Sequence, residues 1–314
     1  MHDRVGRRRF SGPARIALGA VGKRTWLADA VVDGGGLVVD LPEAEALVWG
    51  DPGQADDLRA ALDATPGIHW VQLPWAGVEP LVDVLGHEHL WTCGKGVYAD
   101  PVAEHVLAMA LAGMRHLVAY GRATQWSAQA GTNLMGANVV IVGGGGITES
   151  LLHLLAPFRC DVTVVRRDPV PLPGARRALT LNQLDDVLSD ADLVVLAVAL
   201  TPETIGLFDR RRFALMKSTA WLVNVARGGH VVTDDLVRAL TDGVIAGAAL
   251  DVVDPEPLPG DHPLWRSPNC LITPHTANTY EMAVPLLARR VSDNVARFAA
   301  GEPLVGIVDI ALGY

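Results

Sequence analysis

The 314-residue sequence predicts an α/β protein with two doubly wound parallel sheets. Strand-like runs alternate with helix-like runs along nearly the whole chain, which is the pattern of parallel sheets covered by helices. Several strand-like runs are continuous stretches rich in β-branched residues, as expected of strands buried on both faces. One of these runs leads directly into four glycines, residues 143–146, and then into a helix-like run. This order predicts a nucleotide-binding turn in the middle of the chain.

The composition is that of a globular protein, with 50% hydrophobic and 19% charged residues. The net charge of -9 disfavours nucleic acid as a partner. No apolar run reaches the length of a bilayer, so we expect no membrane segment. The three cysteines contain no Cys-x-x-Cys pair, and we expect reduced thiols in a cytoplasmic protein and no metal site. They are Cys93, Cys160 and Cys270.

The first domain is predicted from residues 14–99 together with residues 280–314. A final helix over residues 280–301 would return the chain to this domain. Residues 1–13 carry a run of arginines, but glycines and charged residues interrupt the stretch that follows, so we expect a solvated basic tail rather than an export signal. The strand candidates of this domain are residues 14–20, 46–49 and 68–73.

Residues 100–279 are predicted to form a nucleotide-binding domain. A long helix is predicted over residues 103–122, with Asp100 as a possible N-cap and Pro101 in its first turn. Because the chain leaves the first domain and later returns to it, we expect a ligand-binding cleft between the two domains. The strand candidates of this block are residues 137–142, 161–165, 193–198, 221–225, 246–251 and 270–273.

The glycine run has the spacing of a dinucleotide-binding turn. Gly143 would form the tight turn, and Gly145 would let the backbone approach a pyrophosphate at the helix N-terminus. Gly146 and Ile147 follow as further cofactor-binding candidates. The third glycine of the fingerprint is replaced by Thr148, so we expect the helix to sit slightly further from the strand. A flexible turn without a ligand is the alternative interpretation.

The next strand ends in two arginines, Arg166 and Arg167. An acidic residue usually accepts hydrogen bonds from the adenosine ribose of NAD in this region. Arg166 occupies the corresponding place, and a guanidinium can bind the 2′-phosphate of NADP through two hydrogen bonds. We therefore predict that NADP is preferred and that NAD is possible, because Asp168 lies two residues further on. The alternative is a solvated pair of arginines at a strand end.

Three later segments each place a titratable or charged residue just after a strand, where ligands collect in open α/β sheets. Arg227 lies in the first segment, residues 224–229. Asp251 and Glu256 lie in the second, residues 249–259, and His275 lies in the third, residues 272–278.

With these motifs the chain resembles the D-isomer-specific 2-hydroxyacid dehydrogenase family over nearly everything after residues 1–13. Arg166 and the loop of residues 73–78 look most like glyoxylate/hydroxypyruvate reductases. The resemblance implies a Rossmann NAD(P)-binding domain, a flavodoxin-like substrate domain and a homodimer. Further family-like stretches are residues 102–105, 201–204 and 216–217.

The chemistry of reducing a 2-oxo acid fits these residues. His275 can supply a proton to the carbonyl oxygen, because imidazole titrates near neutral pH. Glu256 would orient the ring and favour its protonated form by opposite charge. Arg227 would bind the substrate carboxylate and polarise the carbonyl.

The resemblance also implies further contacts. Backbone N–H groups of Ala76, Gly77 and Val78 would hold the substrate carboxylate. Asp251 would contact the nicotinamide carboxamide, although it could instead cap a turn. Glu104 and His105 are expected to stabilise the long helix or the domain join rather than to act in catalysis. The residues implied to line the cofactor are Thr201 or Pro202, and Val225.

The sequence thus predicts an oxidoreductase that transfers a hydride between NAD(P)H and a small 2-oxo or 2-hydroxy acid. The alternative is a dinucleotide-sensing co-regulator of the same fold without turnover. The resemblance implies that formate dehydrogenases of the family replace the Glu partner of the histidine, so the presence of Glu256 disfavours that activity. A short phosphoglycerate dehydrogenase stays possible.

Overall fold

The computed structural model describes residues 12–22, 24–51, 53–267 and 269–311. The predicted basic tail, residues 1–13, therefore lies outside the described residues except for its last two positions. The chain divides into two compact units. The first unit comprises Met1–Tyr98 and Thr279–Tyr314, and the second unit comprises Ala99–Asn278.

Within the described residues the strands are β1 (Arg15–Gly19), β2 (Leu37–Val38), β3 (Ala46–Trp49), β4 (Trp70–Gln72), β5 (Leu90–Thr92), β6 (Asn138–Val142), β7 (Asp161–Val165), β8 (Arg177–Leu179), β9 (Leu193–Leu196), β10 (Trp221–Asn224), β11 (Gly247–Leu250) and β12 (Cys270–Ile272). The α-helices are α1 (Trp26–Asp33), α2 (Ala55–Ala64), α3 (Ala99–Met114), α4 (Leu117–Gly121), α5 (Gly146–Leu155), α6 (Asp185–Leu188), α7 (Arg210–Leu215), α8 (Thr233–Thr241) and α9 (Tyr280–Ala300).

The first unit contains a parallel sheet with the strand order β2-β1-β3-β4-β5. This is the flavodoxin-like order of a doubly wound sheet. Side chains of β3 alternate between two cores, because successive residues of a strand point to opposite faces. Leu47 packs in the same core as Leu58 of α2. Val48 packs in the other core with Val31 of α1 and Val295 of α9, so helices cover both faces of the sheet.

The second unit contains a parallel sheet with the strand order β12-β11-β10-β9-β6-β7-β8. Numbered within the unit, the first six strands have the order 3-2-1-4-5-6 of a Rossmann fold, and a seventh strand extends the sheet. The strand order reverses between β6 and β9, and ligands bind at the carboxyl ends of strands near such a point. The predicted fold class, two doubly wound parallel sheets, is thereby confirmed.

The long helix predicted over residues 103–122 is wrong, because the structure divides it into α3 and α4. The break lies at His116, which adopts a left-handed conformation with a φ of 53°. The carbonyl of Met114 accepts a hydrogen bond from the Thr132 amide at 2.7 Å, so it does not continue the helix. Asp100 lies inside α3 rather than at its N-cap, and its carboxylate accepts from Ser150 Oγ at 2.5 Å.

Strands β2, β5 and β8, which lie at edges of their sheets, were not predicted. No helix among the described residues has both the length and the apolar character that crossing a membrane requires.

Candidate active site

The predicted proton carrier and its predicted partner are in direct contact. His275 follows β12 and Glu256 follows β11, and these neighbouring strands run parallel, so both residues lie beyond the same edge of the sheet. His275 Nδ1 lies 2.6 Å from Glu256 Oε1. The side chains are 54% and 42% exposed respectively, so the pair is open to solvent. The arrangement fixes one ring nitrogen of His275 on a carboxylate and leaves Nε2 on the other side of the ring.

The backbone of His275 is held in an unusual conformation. Its φ of 52° lies in the left-handed region, which costs a residue with a side chain about 1 kcal/mol. The His275 amide donates to the carbonyl of Asp251 at 2.8 Å and to that of Thr273 at 3.0 Å. Contacts with the residues that directly follow β11 and β12 therefore stabilise the conformation that presents the imidazole.

Asp251 is the centre of this loop. It is 2% exposed, and its carboxylate accepts hydrogen bonds from Thr273 Oγ1 at 2.6 Å, from the Thr276 amide at 2.8 Å and from the Ala277 amide at 3.0 Å. Burial raises the pKa of Asp251, but hydrogen bonds from His105, Thr273 and the two amides outweigh it and bring the pKa to about 2. Asp251 is thus ionised at neutral pH, and this geometry supports its alternative role as the cap of a turn. A contact with the nicotinamide carboxamide stays a prediction.

The turn that carries Arg227 is tightly held. Asn224, at the end of β10, is fully buried, and its amide donates to the carbonyl of Arg227 at 2.9 Å while its Oδ1 accepts from the Ala226 amide at 3.0 Å. A Cβ at Gly228 would lie 1.9 Å from the carbonyl oxygen of Val253. Only glycine lets this turn pack against the loop after β11, three residues before Glu256. Arg227 itself is half-buried.

The glycine turn joins β6 to α5 and fits a dinucleotide pyrophosphate. Gly143 has a φ of 116°, and a Cβ there would lie 2.0 Å from the carbonyl oxygen of Ala197. A Cβ at Gly145, the N-cap of α5, would have open space around it. A phosphate can therefore approach the amides at this helix N-terminus. Gly146 and Ile147 form the first turn of α5, as the predicted site requires.

Thr148 is accommodated without a lost hydrogen bond. It is fully buried, and its hydroxyl donates to the carbonyl of Gly143 at 2.9 Å. The expected outward position of the helix is not tested by this contact. Arg166 lies against the same turn, because a Cβ at Gly144 would come within 2.7 Å of its Nε. Arg167, by contrast, is exposed.

The loop after β9 carries the predicted cofactor residues Thr201 and Pro202, and a buried histidine supports it. His230 Nδ1 lies 2.9 Å from the carbonyl oxygen of Thr204, and its Nε2 lies 3.0 Å from that of Val198. Burial lowers the pKa of His230, although both carbonyl contacts oppose this. His230 was not predicted from the sequence, because no local pattern indicates a contact between residues 32 positions apart. Val225, also predicted to line the cofactor, is buried at the end of β10.

The predicted substrate loop, Ala76, Gly77 and Val78, belongs to the first unit. Tyr98 Oη donates to the carbonyl of Pro74 at 3.0 Å, and the Gly94 amide donates to the carbonyl of Trp75 at 2.9 Å. These contacts tether the start of the loop to the segment after β5. Within the described residues, no group of three or more His, Cys, Asp and Glu side chains is placed to hold a metal ion.

Comparison with known proteins agrees with the architecture. The family model for "D-isomer specific 2-hydroxyacid dehydrogenase, NAD binding domain" matches residues 106–277. Glyoxylate/hydroxypyruvate reductase A of Serratia proteamaculans is 37% identical over 55% of this chain, and the chain spans the same share, 55%, of that relative.

Two solved structures are similar over nearly the whole chain. A D-isomer specific 2-hydroxyacid dehydrogenase from Xanthobacter autotrophicus, in complex with NADPH and MES, has a TM-score of 0.82 and 29% identity, covering 97% of this chain and 100% of that one. An NADPH-dependent glyoxylate/hydroxypyruvate reductase from Sinorhizobium meliloti, in complex with NADP and sulfate, has a TM-score of 0.78 and 26% identity. The match covers 97% of this chain and 100% of that one. The chain belongs to the D-isomer specific 2-hydroxyacid dehydrogenase family.

Proposed function

We propose that this chain reduces a small 2-oxo acid, such as glyoxylate or hydroxypyruvate, with His275 as the proton donor and NADPH as the preferred cofactor. The observation that carries the proposal is the 2.6 Å contact between His275 Nδ1 and Glu256 Oε1, in the unit that also contains the Rossmann glycine turn. A sensor without turnover has no need for a proton carrier held on a carboxylate, and the co-regulator alternative is not favoured.

The Glu256 contact determines what each ring nitrogen of His275 can do. A carboxylate only accepts hydrogen bonds, so Nδ1 carries a hydrogen and Nε2 is the atom that exchanges a proton with substrate. For reduction the imidazolium donates from Nε2 to the carbonyl oxygen, and for oxidation the neutral ring accepts from the hydroxyl. The Glu256 carboxylate lies within hydrogen-bond distance of Nδ1 and holds the ring in this orientation. A bound nicotinamide dinucleotide supplies or accepts the hydride.

Arg227 is proposed to bind the carboxylate of the substrate. A guanidinium matches a carboxylate through two parallel hydrogen bonds and holds the adjacent carbonyl in one orientation. The buried Asn224 fixes the backbone of the Arg227 turn, which limits the positions that the guanidinium can reach. Backbone amides of Ala76, Gly77 and Val78 stay predicted as additional contacts of the same carboxylate.

NADPH is proposed as the preferred cofactor because Arg166 lies against the glycine turn at the carboxyl end of β7. A positive charge there favours a 2′-phosphate over a free ribose hydroxyl. Related structures with 26% and 29% identity carry NADP and NADPH. A homodimer in the cytoplasm also stays a prediction, and analytical ultracentrifugation of the purified chain tests the dimer.

The decisive experiment is a panel of 2-oxo acids assayed by the absorbance of NADPH and, separately, of NADH. We expect turnover with at least one small 2-oxo acid and a higher kcat/KM with NADPH. The variant His275→Gln should lose about a hundredfold or more in kcat, because general acid catalysis contributes on this scale. Folded protein that binds NADPH but turns over none of the acids would contradict the proposal.

A further inference from the structure

We propose that His105 on α3 is a positioning residue for the reaction, because it orients the Thr273 hydroxyl and the Asp251 carboxylate that hold the loop of His275. This inference rests on the proposed function. It adds a residue on helix α3, which carries none of the residues proposed to act on the substrate. His105 Nε2 lies 3.1 Å from Thr273 Oγ1 and 3.5 Å from Asp251 Oδ1. The side chains of His105 and Asp251 are 22% and 1% exposed, so this contact is largely shielded from water.

The donor and the acceptor of each hydrogen bond among His105, Thr273 and Asp251 can be assigned. Asp251 is ionised at neutral pH and only accepts, so the Thr273 hydroxyl must donate its single hydrogen across the 2.6 Å contact. The remaining lone pairs of Thr273 Oγ1 then accept from His105, which must carry a hydrogen on Nε2. The chain of donors therefore runs from His105 through Thr273 to Asp251, and it requires the Nε2–H form of His105.

The same carboxylate holds the residues on both sides of the proton carrier. Asp251 Oδ1 accepts from Thr273 and from the Thr276 amide, and Oδ2 accepts from the Ala277 amide. The carbonyl of Asp251 accepts from the amide of His275, whose φ is left-handed. A rotation of the Asp251 carboxylate would weaken several of these bonds together and release a strained backbone. His105 opposes such a rotation from the helix side.

These contacts show that two different acidic residues hold His275. Glu256 holds the imidazole ring, and Asp251 holds the backbone that carries it. Loss of the His105 contact should therefore misplace the ring without removing any group proposed to touch the substrate. The expected result is a lower kcat with little change in KM, since a small misplacement of a reacting group lowers the rate of the chemical step.

The test compares His105→Leu with His105→Gln, because a glutamine amide can supply the N–H that leucine lacks. We expect His105→Leu to lower kcat about tenfold while KM changes less than about twofold, a loss typical of a misplaced reacting group. His105→Gln should recover most of kcat. His153→Leu, on exposed α5 surface of the same unit, is the matched control and should leave kcat unchanged.

A second variant, Thr273→Val, tests the same chain of hydrogen bonds if His105→Leu does not fold. Thr273→Val removes the middle hydroxyl, and the double variant with His105→Leu should lose no more kcat than the more affected single variant, because both break one chain of hydrogen bonds. Wild-type kcat in His105→Leu, or equal losses in the Leu and Gln variants, would overturn the proposal. Fully additive losses would overturn it as well.

A spectroscopic readout separates this proposal from the proposed function. Long-range ¹⁵N–¹H NMR of the intact chain reports which ring nitrogen of each histidine carries hydrogen. We expect the Nε2–H form for His105, and a shift of the His275 ring signals in His105→Leu that His105→Gln largely reverses. An Nδ1–H form of His105, or unaltered His275 signals, would contradict the positioning role even if no 2-oxo acid were turned over.

Discussion

The hydroxyl of Thr148 donates to the carbonyl of Gly143 across 2.9 Å, so the residue that replaces the third fingerprint glycine bonds to the first. The contact spans the turn between β6 and α5, and Thr148 is fully buried. A glycine at position 148 would have no group to offer this carbonyl. The hydrogen bond from Thr148 therefore stabilises the turn that is proposed to bind pyrophosphate.

Replacing Thr148 by Val should lower the free energy of unfolding by about 1–3 kcal/mol, because the Gly143 carbonyl loses a buried donor while the shape of the side chain is kept. Thr148→Ser keeps the hydroxyl and is the matched comparison for that bond. Urea denaturation of the three proteins measures the difference. Equal stability of the Val variant and the wild type would show that the bond contributes nothing.

Replacing Glu256 by Gln should lower kcat about tenfold to a hundredfold, because the hydrogen bond from Nδ1 to a charged oxygen is replaced by a weaker one to a neutral amide, which holds the His275 ring less firmly. The thermal midpoint should change little, since both side chains of the pair are about half exposed. Glu302→Gln, at an exposed position after α9, serves as the control. An unaltered kcat in Glu256→Gln would remove this carboxylate from the proposed reaction.

Replacing Arg166 by Ser should reduce kcat/KM with NADPH about tenfold to a hundredfold, the value of a charge-assisted hydrogen bond to phosphate, and should leave the value with NADH nearly unchanged. The neighbouring exposed Arg167 gives a matched comparison through Arg167→Ser. Steady-state kinetics with both cofactors measure the ratio. If the wild type favours NADH, or if Arg166→Ser affects both cofactors equally, Arg166 does not select the 2′-phosphate.

Asp251 should contribute acid-sensitive stability. Its pKa in the folded chain is about 2, below the ordinary value of 3.8, so the folded state favours the ionised carboxylate. The contribution is complete above the ordinary value and is lost as the pH falls from about 4 to about 2, and this shift corresponds to about 2 kcal/mol.

The variant Asp251→Asn tests this pH dependence. The difference in unfolding free energy between wild type and variant should be largest above pH 5 and should shrink by about 2 kcal/mol toward pH 2. Asp261→Asn, an exposed substitution in the same unit, is the control. A difference that stays constant over this range would show that the ionised carboxylate is not preferentially bound in the folded state.

The sequence by itself determined every strand of the second unit except β8, and the residues that follow these strands. Buried parallel strands are readable as β-branched runs, and their carboxyl ends meet at one edge of the sheet. This rule predicted that Glu256 and His275 lie near one another, and the structure places them in contact. The fold class and the family were also predicted from these patterns.

Only the tertiary structure decided the contacts that depend on how distant segments pack. The helix predicted through His116 ends at Met114, because the carbonyl of Met114 accepts a hydrogen bond from the Thr132 amide, a contact that no helical pattern reveals. His105 was predicted to stabilise the long helix or the domain join, whereas the structure places its ring on Thr273, 168 residues away. The local sequence indicates the hydrophobic period of a helix or strand and the residues at which it begins and ends. The partner of a buried polar group is fixed when packing removes water and leaves one available donor or acceptor.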